Sequence, residues 1–260
     1  MTSPKWEDLR ARLISGALMA VLGVAAVALG GVWFQMLTVF VTAIMVWELW
    51  TMIAPEAPVP GMLLAAGVAS VLSGLFADPL ILAFALVPPL LGALALRRER
   101  VTFAAFSLAI IIAGWGLVTF REEHGMLWII WLILVVVITD VAGYFAGRIF
   151  GGPKFWPAIS PKKTWSGTLA GWLGAALLGA VFLSFTNAGR DLIWISAVVS
   201  LASQMGDIAE SALKRRMSVK DSSTLIPGHG GLFDRFDGLL GASLVMLAAA
   251  QIVAVPDVAL

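Results

Sequence analysis

The sequence predicts an all-α integral membrane protein of about nine transmembrane helices, with a cytosolic N-terminus and a periplasmic C-terminus. Three observations predict it. The first is composition: 60% of the 260 residues are hydrophobic and only 13% are charged, with a mean hydropathy of +0.95. A soluble domain is about a quarter charged, because it must cover its core with a polar surface, and a disordered chain is excluded by the same numbers. The second is the length of the apolar runs, and the third is the placement of the cations.

A helix crosses the hydrocarbon with roughly 17–25 mostly apolar residues. Nine stretches qualify: 13–29, 32–53, 61–77, 79–96, 101–119, 126–147, 167–185, 192–213 and 238–255. Loop chemistry separates them at Gly30-Gly31, Pro55 to Pro60, Asp78-Pro79, Arg97 to Arg100 and Gly151 to Pro161. Pro88-Pro89 predicts a kink inside the fourth stretch. The first stretch reads as an uncleaved span. A cleaved leader has an apolar region of about 7–15 residues, whereas apolar sequence here continues almost unbroken from Leu13 to Ile53.

Cations accumulate on cytosolic segments of membrane proteins. With the N-terminus inside and nine spans, 15 of the 17 Lys and Arg fall on inner segments, leaving Arg121 and Arg190 outside. The expected location is therefore a bacterial-type inner membrane, crossed many times, with the chemistry facing the cytosol. There is no internal repeat and no low-complexity tract. Residues 1–120 read as a transmembrane scaffold and 121–260 as the catalytic region, because nearly all groups capable of chemistry lie between 139 and 238.

With no cysteine, thiolate metal sites and thiol nucleophiles are excluded. No GxxxxGK[ST] motif is present, so a P-loop is excluded too. Charged groups inside spans are costly and face a bundle interior or a wet cavity. Asp140, Tyr144 and Arg148 recur at i, i+4 and i+8 on one helical face; Asp207, Glu210, Ser211 and Lys214 share another. Asp234 and Asp237 lie one turn apart if their segment is helical. The predicted topology brings Asp140, Asp207, Asp234 and Asp237 to the inner surface together with Lys162 and Lys163. Hard oxygen ligands point to Mg²⁺ held jointly with substrate phosphates. Gly228, Gly230 and Gly231 around His229 suit a backbone nest for an anion, and Lys154, Lys162, Lys163 and Thr164 offer further phosphate donors. Each constellation also has a plainer reading. Asp140 with Arg148, or Glu210 with Lys214, could be structural ion pairs, and Arg97, Arg98 and Arg100 read as topology determinants.

The stretch from Ser211 to Asp237 (SALKRRMSVKDSSTLIPGHGGLFDRFD) resembles the signature of the phosphatidate cytidylyltransferase family. The matching positions are Ser211, Lys214, Arg215, Lys220, Asp221, Pro227, His229, Gly230, Gly231, Asp234, Arg235 and Asp237. ISPKKTWSG at 159–167 and the Asp140, Tyr144, Gly147, Arg148 stretch are similar to the family as well, although Ser166 stands where the family often has Glu. The resemblance implies an all-α membrane enzyme, usually a homodimer, that uses CTP and phosphatidic acid with Mg²⁺ as cofactor, binds membrane lipid and binds no nucleic acid. It implies Asp207, Asp234 and Asp237 as the metal-associated carboxylates.

On this reading a phosphate oxygen of phosphatidate attacks the α-phosphorus of CTP. That oxygen is largely ionised at neutral pH, the second pKa of a phosphomonoester being near 6, so no general base is needed. Lys162, Lys163 and Thr164 would hold the triphosphate, His229 with Gly230 and Gly231 the leaving phosphates, and Lys214, Arg215, Lys220 and Arg235 the lipid phosphate or the carboxylates. A secondary transporter would place its charges near the midplane on broken helices with repeat symmetry. A lipid-binding assembly protein would explain the basic inner face but not the carboxylates. A related CTP-using enzyme such as a polyprenol kinase would instead release CDP.

Overall fold

The computed structural model describes residues 4–256, with side chains from position 12 onward except 79–81. Helices dominate, as the apolar runs require. The helices in chain order are α1 (Pro4–Leu29), α2 (Gly31–Ile53), α3 (Pro58–Ala77), α4 (Val87–Ala95), α5 (Arg100–His124), α6 (Met126–Ile149), α7 (Trp165–Phe182), α8 (Asp191–Arg216) and α9 (Phe233–Ala249). Seven of these, all but α4 and α9, are long and apolar enough to cross a membrane among the described residues. The chain is a multi-pass membrane protein.

Three expectations change. The fourth stretch is not one helix: a 3-10 segment, Pro79–Leu86, precedes α4. Pro88 and Pro89 stand in the first turn of α4, so they start a helix instead of kinking one; proline has no N–H to lose there. The ninth stretch is displaced, since α9 begins at Phe233 and ends at Ala249. Finally, a hairpin of β1 (Lys154–Trp156) and β2 (Ser160–Thr164) interrupts the all-α pattern. Its strands pair antiparallel, Lys154 with Thr164 and Trp156 with Ser160, and the Phe155 and Trp165 rings pack at 4.7 Å. Strands of three and five residues leave no trace in hydropathy averaged over a span.

Two compact units make up the chain: the residues up to Thr119 with Met217–Phe236, and Phe120–Arg216 with the residues from Asp237 onward. In the first, Leu49, Trp50, Ile53, Leu72, Leu75 and Phe103 are buried, and the Trp50 and Phe103 rings meet edge to face at 5.7 Å. The Trp50 indole N–H, which would otherwise be stranded, donates to the Ala57 carbonyl at 2.7 Å.

In the second unit α6, α7 and α8 pack against one another. Lipid tails are as apolar as leucine, so membrane helices associate through close backbone approach and interhelical hydrogen bonds. Both are present. A Cβ on Gly167 would lie 2.5 Å from the Gly143 carbonyl oxygen, so only glycine lets α7 sit this near α6. Thr139 donates to Ser200 at 2.7 Å, and the Trp131 indole donates to Ser196 at 3.1 Å, joining α6 to α8.

Candidate active site

In the second unit, a cavity of about 450 Å³ opens among α6, α7, α8 and the hairpin. Asp140, Tyr144 and Arg148 line it from α6, Lys162, Lys163 and Thr164 from β2, and Gln204 from α8. The i, i+4 spacing on α6 thus brings its three polar side chains to one wall, where Arg148 donates to the Tyr144 hydroxyl at 2.9 Å. Lys163 pairs with Asp207 at 2.5 Å and also donates to the Gln204 carbonyl. Ser211 donates to the other Asp207 oxygen at 3.3 Å. Thr164 accepts from the Gly167 N–H as the N-cap of α7, which fixes β2 to the positive end of a helix dipole. Ser166 keeps a structural post: it donates to the Gly151 carbonyl and bonds Thr164.

Asp237 joins this unit on α9, and Asp140, Asp207 and Asp237 are close enough for their charges to interact. What places Asp237 beside α8 is Gly206: a Cβ there would lie 2.2 Å from the Asp237 carbonyl oxygen, a backbone atom that cannot swing away. Gly206→Ala is therefore expected to destabilise the protein by at least the 1–3 kcal/mol or so typical of overpacking. Thermal unfolding of the purified variant measures this, and an unchanged midpoint would refute so close an approach. Lys214 pairs with Glu210, which is fully buried. The pair joins successive turns of α8, and Lys214 is also near enough for its charge to act on Asp237, whereas Arg215 is exposed.

Among the described residues no three carboxylate or imidazole side chains form a ready-made metal cage. Mg²⁺ does not require one, since it is commonly held by one or two carboxylates while substrate phosphates and waters complete its shell. Asp207 and Asp237, beside a lysine-lined cavity, fit that mode.

The first unit carries the segment from Lys220 to Arg235. A second cavity, of about 480 Å³, is lined there by Arg12, Lys220, Asp221, His229, Gly230 and Arg235 together with neighbouring loop residues. Two bonds tighten the loop: the Ile226 N–H donates to Gly230 O at 2.7 Å, and the His229 N–H to Ile226 O at 2.9 Å. Asp234, expected as a third metal ligand, uses Oδ2 to accept from the Ser222 N–H, the Ser222 hydroxyl and the Gly231 N–H, each at 2.8 Å. It anchors the loop. The expected glycine nest is correspondingly reduced, because the N–H groups of His229 and Gly231 are already bonded inside it. Partial burial, followed by the Arg235 and Arg12 guanidiniums, pushes the His229 imidazole below its usual range.

Glu48 was not legible as a site residue. It is fully buried near the end of α2 and accepts three hydrogen bonds, from Ser223 Oγ at 2.6 Å, Phe233 N at 2.7 Å and Leu232 N at 2.9 Å, while the Ser222 hydroxyl, given to Asp234, lies 3.5 Å away. The carboxylate thus caps the first turn of α9, whose dipole favours it. Its signal was present, a lone acid inside an apolar run, but its partners lie 175 to 185 positions away. Gln204 is a second omission. It joins Trp172 at 3.0 Å and the Thr168 carbonyl at 3.4 Å, and it borders the carboxylate cavity.

Fold and site define a polytopic membrane protein with a carboxylate and lysine cavity built on its α6–α8 helices. The chain belongs to the cytidylyltransferase family, whose model matches residues 10–253. It is 41% identical over 158 residues to the phosphatidate cytidylyltransferase of Brucella suis biovar 1 (strain 1330), covering 60% of this chain and 56% of that relative. It is 36% identical over 159 residues to the protein of the same name from Staphylococcus haemolyticus (strain JCSC1435), covering 58% of this chain and 61% of that one. The matched segment therefore spans little more than half the length of these curated relatives.

Proposed function

We propose that this protein transfers the cytidylyl group of CTP to phosphatidate, giving CDP-diacylglycerol and pyrophosphate for phospholipid synthesis. The observation that carries the reading is the ion pair that ties Lys163, which lines the α6–α8 cavity, to Asp207. It joins a cation suited to a phosphate and a carboxylate suited to Mg²⁺, both within the residues matched by the family.

A phosphate oxygen of the lipid attacks the α-phosphorus of CTP, and the bond from that phosphorus to the bridging oxygen of the leaving pyrophosphate breaks. The attacking phosphate is already ionised at neutral pH, so the task for the protein is to gather polyanions and balance the charge that develops on the leaving group. Lys162 and Lys163 receive the triphosphate, and the α7 N-terminus, capped by Thr164, adds its dipole. Arg148, held by Tyr144, offers a further cation. Asp207 and Asp237 would hold Mg²⁺, which when bound supplies the charge neutralisation that phosphoryl transfer needs. Asp234 and Glu48 shape the loop that precedes α9. A cytosol-facing site on an inner membrane follows from the bias of cations toward the predicted inner segments.

The test is to incubate purified protein with phosphatidate, Mg²⁺ and CTP labelled at the α-phosphate. Label should enter the chloroform phase. Label confined to water would overturn the reading, and transfer from γ-labelled CTP instead would identify a lipid kinase. Lys162→Ala, which removes a triphosphate contact made in ground and transition states alike, should mainly raise KM for CTP, with a smaller fall in kcat. Steady-state kinetics in CTP check this, and a fall in kcat at unchanged KM would remove Lys162 from the nucleotide site.

A further inference from the structure

Gln204 holds a position in the α6–α8 cavity that no step of the reaction above uses. It is only 7% exposed, yet it lines the cavity with Thr139, Thr168, Lys162 and Lys163. Trp172 on α7 fixes which way its amide points. An indole N–H can only donate, and it lies 3.0 Å from Gln204 Oε1. The amide oxygen is therefore committed to Trp172, and Nε2 must occupy the other side. A turned amide would set two donors against each other. Gly171 makes the room, because a Cβ there would lie 2.9 Å from Nε2.

Nε2 carries two hydrogens. One is directed at the Thr168 carbonyl at 3.4 Å, longer than such a bond usually is, and that carbonyl also serves the α7 ladder. Among the described residues the other has no acceptor. A buried donor left unmade costs stability, so a spare one on a cavity wall points to a ligand that brings the acceptor. The groups that the amide meets are Trp172, Thr168 and the Gly171 backbone, none of them charged. The Gln204 backbone carbonyl, by contrast, accepts from Lys163 Nζ at 3.4 Å. The residue thus stands where the cations end and neutral groups begin. Phosphates belong on the first side. A neutral ring with acceptor atoms belongs on the second, since a charge buried against uncharged groups costs far more.

We propose that Gln204 selects the nucleobase, donating from Nε2 to N3 of a cytosine ring, with Trp172 as the positioning residue that holds the amide in that orientation. This role rests on the reading of CTP as substrate. N3 of cytosine is a lone pair, whereas N3 of uracil carries a hydrogen, and the two rings are otherwise nearly the same size. A donor that cannot turn into an acceptor fits the first and opposes the second. Sites built around a committed polar group discriminate strongly, because the wrong partner leaves that group unpaired.

The detergent-solubilised full chain would be titrated calorimetrically with the magnesium complexes of CTP and of UTP, without lipid so that nothing turns over, as wild type, Gln204→Met, Gln204→Glu and Trp172→Phe. The wild type is expected to bind CTP about tenfold or more tightly than UTP, the size of one hydrogen bond. Gln204→Met, close in volume but without donors, should weaken CTP binding about tenfold and bring the two nucleotides level. Trp172→Phe frees the amide to turn, so it should keep CTP and gain UTP. Gln204→Glu offers one oxygen to Trp172 and the other to the N3 hydrogen of uracil, so it should prefer UTP. The two variants that add no charge decide the matter if the glutamate variant binds neither nucleotide. An unaltered preference in the folded variants would overturn the proposal. So would equal binding of CTP and UTP by the wild type, or an equal loss of both in Gln204→Met, the mark of a phosphate contact or of helix packing alone. Labelled lipid from the wild type alongside an unaltered preference would sink this role alone, whereas a Gln204-dependent preference for CTP without labelled lipid would sink the transfer and leave the site.

Discussion

Asp237→Asn is expected to lower kcat to less than a tenth of the wild-type value while leaving the protein at least as stable as before. The two effects have opposite signs because they come from the same charge. Asp237 lies near enough to Asp140 and Asp207 for their charges to interact, and like charges held together repel. Asparagine keeps the volume and can still accept the hydrogen bond that Gly238 N–H donates to Asp237 Oδ1 at 2.7 Å. Removing the charge relieves repulsion, so the unfolding midpoint should hold or rise. Turnover should collapse, because an amide oxygen is a poor ligand for Mg²⁺ compared with a carboxylate, and added Mg²⁺ should rescue it only weakly. The checks are single-turnover kinetics with labelled CTP and thermal unfolding of the same preparation. Activity above a tenth of wild type would leave less than about 1.4 kcal/mol of barrier at stake and would exclude Asp237 as a primary metal ligand. A purely structural acid would show the reverse pattern, with stability lost and the rate per folded molecule kept.

Glu48→Gln should behave in that reverse way. Each Glu48 oxygen faces a donor: Oε1 accepts from Ser223 and Leu232, and Oε2 from Phe233. Whichever position the glutamine NH₂ takes, it meets a backbone N–H head on, leaving at least one buried donor unsatisfied and losing the charge that favours the helix end. Hydrogen bonds to a charged group contribute about 1.5–3 kcal/mol each, so a loss of roughly 3 kcal/mol is expected. The segment 217–232 should become sensitive to protease and its amide hydrogens should exchange faster. Unchanged protection at Leu232 and Phe233 would show that Glu48 does not hold the start of α9.

The two carboxylates differ in how much of their role could be read from the chain. Asp237 belongs to a stretch whose polar residues are dense against an apolar background, and its neighbours in the motif mark it. Glu48 stands alone in an apolar helix. What makes it matter is a set of hydroxyl and amide donors brought in from a distant segment, and no local window contains both.

From the sequence alone one can determine the solvent this protein lives in and the residues that could do chemistry. Apolar run length reports burial in lipid directly, so α2, α3 and α6 through α8 were legible to within about three residues, while α1 begins nine residues earlier and α5 ends five residues later than their apolar runs, and helical periodicity put Asp140, Tyr144 and Arg148 on one face. Tertiary structure alone decided which of those groups meet. It paired Lys163 with Asp207 and Glu210 with Lys214, committed Asp234 to Ser222 and Gly231, broke the fourth apolar stretch at its prolines, and folded residues 154–164 into a hairpin. Hydropathy is a property of each residue and sums locally, whereas a hydrogen bond or ion pair depends on which helix faces stand within about 3 Å of each other. That contact distance is set by glycines such as Gly167 and Gly206, whose importance appears only once a second backbone lies against them.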